Sequence, residues 1–78
     1  MRTTNAPKTV AQFRSGAVAS FRRANPGVKI AVEWETARSV TWPTGATGFV
    51  GWFAAAAPTF TRRRMYATWV DGMGMMVK

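Results

Sequence analysis

The sequence predicts an α+β fold, one N-terminal helix packed on a small antiparallel sheet of three to five strands, on three observations. Apolar residues recur at three- and four-residue steps through the first third of the chain, the period drops to two from Val28, and Asp71-Gly72 separates two alternating segments near the end. A period near 3.6 lines up one stripe of a helix and a period of two lines up one face of a strand. Asp-Gly is a favoured hairpin turn.

The helix is expected from Pro7 to Ala24, after a loose lead-in over residues 1–6. Val10, Phe13, Ala17, Phe21 and Ala24 form its apolar stripe, with Lys8, Gln12, Ser15, Ala19, Arg22 and Arg23 opposite. Thr9 and Gln12 have capping-box spacing, and Asn5 ahead of Pro7 is the competing cap. Arg14 falls beside the stripe, where it either snorkels along the core edge or meets Glu33 or Glu35. Asn25-Pro26-Gly27 ends the helix, because the residue before Pro is pushed out of the helical region and Gly tolerates a sharp turn.

From Val28, the residues Val28, Ile30, Val32 and Trp34 share one face, and Lys29, Ala31, Glu33 and Glu35 the other. This is the pattern of a half-buried strand. A turn near Glu35 to Arg38 and a short second strand carrying Val40 and Trp42, stopped by Pro43, are expected next. Thr44 to Gly48 reads as a Gly/Thr turn, and Phe49 to Ala57 as an apolar strand ended by Pro58. Its apolar residues fall on both faces, so the second one is either covered, as by a loop carrying Trp42, or left as an exposed apolar patch.

The segment from Thr59 to Val70 is open to two readings, a helix capped by Thr59 or a strand. The strand is preferred, since Tyr66, Thr68, Trp69 and Val70 are strand formers, with Met73, Met75 and Val77 returning after Asp71-Gly72. Trp34 and Trp69 fall on the expected core faces. There is no Leu, so Val, Phe, Trp, Met and Ala must fill the core.

The chain is read as a single domain over 1–78. Its 78 residues hold no Cys and no His, which removes disulfides, structural zinc, and Ser-His or Cys-His nucleophilic pairs. Only Glu33, Glu35 and Asp71 remain for acid-base or metal chemistry. The expectation is therefore a non-enzyme without cofactor or metal. Against those three acids stand eleven Lys and Arg, a net charge of +8 that concentrates polyanions around the molecule.

Ser39 to Thr61 is a charge-free run of 23 residues followed by Arg62-Arg63-Arg64, which mimics a membrane span with a basic flank. Pro43, Gly45, Gly48, Gly51 and Pro58 interrupt it, and its densest apolar part is far shorter than the roughly 20 residues a spanning helix needs. No membrane insertion is expected. The polar amino terminus lacks the apolar region of a secretory signal. The expected location is cytoplasmic, or host cytoplasm for a phage-encoded chain.

The expected function is a small basic protein that binds nucleic acid, DNA or RNA, without catalysis. Arg62, Arg63, Arg64, Arg22, Arg23 and Arg38 are the candidate phosphate ligands, and Tyr66 and Trp42 the candidate stacking residues. On a strand, Arg62, Arg64 and Tyr66 share a face and Arg63 does not. The alternative is a phage-type interaction protein docking on an acidic host or virion protein through a patch of Phe49, Val50 and Trp52, which would equally serve as a homodimer seam.

Overall fold

The computed structural model describes residues 6–58 and 60–78, with the side chain of Phe60 left aside. The elements run α1 (Val10–Ala24), β1 (Ala31–Thr41), β2 (Thr47–Ala57), β3 (Phe60–Val70) and β4 (Gly74–Val77). The four strands form one antiparallel sheet in the order β1-β2-β3-β4, and the helix packs on one side of it. The α+β arrangement read from the sequence is the observed one.

Thr9 is the N-cap of α1, its hydroxyl accepting from the Gln12 amide at 3.1 Å. The Gln12 side chain reaches back to the Lys8 amide at 2.6 Å, one residue earlier than a reciprocal capping box requires. The helix therefore starts three residues after Pro7, and the competing cap Asn5 lies outside the described residues. At the other end Asn25 turns out of the helix, its Nδ2 donating to the Phe21 carbonyl at 2.9 Å. Gly27 then takes a φ of 77°, where a side chain would strain the turn.

Phe13, Ala17 and Phe21 point from α1 into the sheet and are buried. Phe13 stacks on Phe49 at 5.4 Å, Phe21 meets Phe53 edge-on at 5.6 Å, and Trp34 closes on Phe53 at 4.7 Å. These offset and edge-on geometries are the ones that ring quadrupoles favour. Met65, Ala67, Trp69, Met75 and Val77 complete this side from β3 and β4. Trp34 and Trp69 serve the core, as their strand faces imply.

One expectation is corrected. There is no turn at Glu35 to Arg38 and no separate strand at Val40 and Trp42; β1 runs unbroken from Ala31 to Thr41. The chain absorbs one extra residue in a β-bulge between Trp34, opposite Phe53, and Thr36, opposite Trp52. A bulge shifts the alternation by one. Arg38, which strict alternation from Trp34 would place under the helix, is thereby carried to the opposite face with Glu33. For β2 the exposed alternative holds. Its other face, with Val50, Trp52, Ala54 and Ala56, has no element over it among the described residues.

No helix among the described residues is long and apolar enough to cross a membrane. The charge-free run instead takes in the end of β1, the connecting turn, β2, which is one of the two inner strands, and the first residues of β3. In that turn the Gly45 amide donates to the Trp42 carbonyl at 2.8 Å, and Gly45 has a φ of 92°.

Candidate binding face

The uncovered face is assembled by strand register. Across the middle of the sheet Glu33, Ala54 and Arg64 lie side by side, and next to them Thr36, Trp52, Tyr66 and Lys78 form a second row. The Tyr66 and Lys78 backbones exchange hydrogen bonds of 2.7 and 2.9 Å, which places both residues on this face. Arg38, Val50, Thr68 and Met76 make the third row.

Long side chains are tied together across these rows. Arg62 pairs with Glu33 at 2.7 Å and Arg64 with Glu35 at 3.0 Å. Trp52 donates its indole N–H to Glu35 at 3.0 Å, and its ring lies 5.9 Å from that of Tyr66. The Tyr66 hydroxyl, followed by the Glu35 carboxylate, raises the pKa of Arg64 above its ordinary value. Its charge is permanent in any case. Both ion pairs are exposed and add little stability, so their effect is to hold guanidiniums in place over the face. Tyr66 stays 53% exposed.

Of the residues singled out in the sequence, Arg62, Arg64, Tyr66 and Arg38 come together here. Arg63 lies in register with Ala55 on the helix side of the sheet, as strand alternation requires. Arg22 and Arg23 occupy the last turn of α1, behind the sheet. There they complement the helix dipole rather than join the triplet. Trp42 sits at the rim of the open face and is half-buried; a Cβ added at Gly48 would approach its ring to 2.8 Å. It is packed over Gly48 and is a poorer platform than Tyr66.

The patch of Phe49, Val50 and Trp52 is split by the strand. Phe49 is 8% exposed and stacked beneath Phe13, while Val50 and Trp52 are on the open face. Trp52 thus belongs with the Arg/Tyr constellation, a role missed in the sequence. The signal for it was the matched spacing of Glu33/Glu35 and Arg62/Arg64, two residues apart in each strand.

A second basic feature lies at the other side, where α1 meets the outer strand. The Arg14 guanidinium stands 5.4 Å over the Trp34 ring, so it snorkels onto the core edge instead of meeting a glutamate. Ala11, Ser15, Val18, Ala19 and Arg22 wall the open groove beside it, about 570 Å³ in volume. Comparison of the chain with protein-family models, curated proteins and solved structures gave no match, so both surfaces are read from their own residues.

Proposed function

We propose that the protein binds single-stranded nucleic acid on the uncovered face of its sheet, without catalysis. The observation that carries this reading is the exposed Tyr66 ring beside Trp52, flanked on the same face by Arg62, Arg64 and Arg38. Unpaired bases stack on aromatic rings whatever their identity, and guanidiniums take the intervening phosphates through forked hydrogen bonds. An open sheet face suits a splayed single strand better than a duplex groove, which asks for an inserted helix or ribbon.

Glu33 and Glu35 act as stand-ins for phosphate in the free protein. They keep the guanidiniums extended over the face and yield to a strand that brings its own oxygens. The rest of the +8 charge, on α1 and around the sheet rim, adds long-range attraction without specificity.

Fluorescence anisotropy with labelled oligonucleotides tests this. Single-stranded DNA or RNA should bind more tightly than a duplex of the same length at about 50 mM salt, and lose affinity linearly in log salt with a slope near −0.7 per phosphate contact. Absence of binding at that salt rejects the proposal. A protein partner on the same face is favoured by one observation, the exposed Met76, which continues the row of Val50 and Thr68 at the far edge of this face. Affinity capture that survives nuclease and moderate salt would select that reading instead.

A further inference from the structure

We infer that two copies of this chain pair through the outer edge of β1, making one continuous eight-stranded sheet about a two-fold axis. The inference shares Arg38 and Glu33 with the open face but does not rest on what that face binds. β1 is an 11-residue edge strand, with β2 on its inner side and no strand on its outer side among the described residues. Natural edges are blunted by Pro, by charged side chains, Lys above all, or by bulges. Between Ala31 and Thr41 β1 has no Pro and no Lys, and carries Glu33, Glu35, Arg38 and one bulge.

The direction of each backbone group follows from the hairpin. The Trp42 amide donates to the Ala46 carbonyl at 2.9 Å, so Trp42, and by alternation Val40, Arg38 and Thr36, turn their polar groups toward β2. Ala37 and Ser39 therefore turn theirs outward. Beyond the bulge the phase shifts, Glu33 faces Ala54 across the ladder, and Trp34 and Val32 become the outward residues. The outward hydrogen-bonding positions on either side of the bulge are thus 32, 34, 37 and 39, with Thr41 outward beyond them at the strand end.

This set is its own complement. In an antiparallel pairing of two copies, Val32 meets the partner's Ser39 and Trp34 meets the partner's Ala37, each outward residue opposite another outward residue. Glu33 then lies directly opposite the partner's Arg38 on the open face, and Arg38 opposite the partner's Glu33. Opposite charges in direct cross-strand register are favourable, and both pairs form at once. Glu33 engages Arg62 through Oε1, which leaves its second oxygen for the new guanidinium. On the helix side the bulky Trp34 falls against the small Ala37. A bulge normally spoils an edge. Here the two bulges meet at the axis, so the phase shift of one strand is matched by that of the other.

Light scattering or sedimentation equilibrium on the full chain, freed of nucleic acid by nuclease, tests the assembly from about 1 μM to 1 mM. The expected result is a concentration-dependent doubling of the 8.6 kDa mass. Ser39→Pro removes an outward amide at a position where an edge strand tolerates Pro, and should return the monomer mass with the circular dichroism unchanged. Arg38→Glu places carboxylate against carboxylate twice and should weaken the dimer about tenfold or more, whereas Arg38→Lys should retain it. The two Arg38 variants leave the backbone alone and carry the test if Ser39→Pro fails to fold. A monomer across the whole range, or a dimer indifferent to Arg38→Glu, overturns the inference.

Discussion

Oε1 of Glu35 accepts the Trp52 indole N–H at 3.0 Å and also takes the Arg64 guanidinium at 3.0 Å. One carboxylate oxygen therefore holds an aromatic ring and a cation in fixed relation on the open face. Glu35 is the extra residue of the β1 bulge, between the pairs that Trp34 and Thr36 make with β2. A local irregularity in an edge strand thus organises the centre of the candidate site.

The substitution Glu35→Gln separates the two roles of this side chain. The neutral amide would keep an acceptor for the indole but lose the ion pair with Arg64, whose guanidinium would then be free for phosphate. Affinity for a single-stranded oligonucleotide is expected to rise about three- to tenfold, at a cost in stability below about 1 kcal/mol, as for other exposed pairs. Anisotropy and urea unfolding on the same preparation read both. Weaker binding by the variant would contradict the stand-in role of the carboxylate.

Tyr66 and Trp52 are expected to carry stacking. Tyr66→Ala and Trp52→Ala should each weaken binding by about 1–3 kcal/mol, the usual range for a base stacked on one ring, while far-ultraviolet circular dichroism stays unchanged. Tyr66→Phe keeps the stacking surface and should lose much less. Equal losses in the Phe and Ala variants would assign the effect to the hydroxyl and its link to Arg64.

The core has little reserve. Phe53 is fully buried, with Phe21 and Trp34 against it. Phe53→Ala should remove about 3–5 kcal/mol, which is most of what a domain of this size can hold, so the variant should be largely unfolded at room temperature. Thermal denaturation followed by near-ultraviolet circular dichroism checks it, because the aromatic cluster dominates that signal.

Two glycines should respond in opposite directions to Ala. At Gly51 a Cβ would come 2.5 Å from the Thr36 carbonyl oxygen and 2.9 Å from the Ala37 Cα, both backbone atoms, so β1 and β2 must separate beside the bulge. At Gly16 the nearest atom is the end of the flexible Met75 side chain at 3.1 Å, and the position is interior to α1. Gly51→Ala should destabilise by about 1–3 kcal/mol, as overpacking does. Gly16→Ala should stabilise by about 0.5–1 kcal/mol through the helix backbone. Urea midpoints of the pair report the contrast.

What was legible in the sequence was local. Thr9 and Gln12 announced the start of α1, the stripe of Phe13, Ala17 and Phe21 announced its buried side, and alternation placed Arg62, Arg64 and Tyr66 on one face of a strand. Glu35 to Arg38 is misleading because a strand with one face open to water can carry Glu, Thr and Arg in close succession, and a polar run of that kind resembles a turn. Arg38 reached the open face only through the bulge, which no local preference marks. The partnership of Glu35, Trp52 and Arg64 joins three strands and depends on register. Phe49 and Trp52 are three residues apart in one strand, so alternation alone puts them on opposite faces, and the docking of the helix decides only which of the two is covered.

The most direct measurement of where nucleic acid sits uses the indole N–H resonances of the four tryptophans in a heteronuclear spectrum. Low salt, about 50 mM, favours the complex. Under that condition an added single-stranded oligonucleotide should shift the Trp52 indole, whose N–H rests on Glu35, together with the backbone amides of Arg64 and Tyr66. Trp34 and Trp69, on the helix side, should stay in place. Movement confined to Trp34 and the amides of Arg14 and Arg22, with Trp52 unmoved, would put the ligand in the groove beside α1 and contradict binding on the open sheet face.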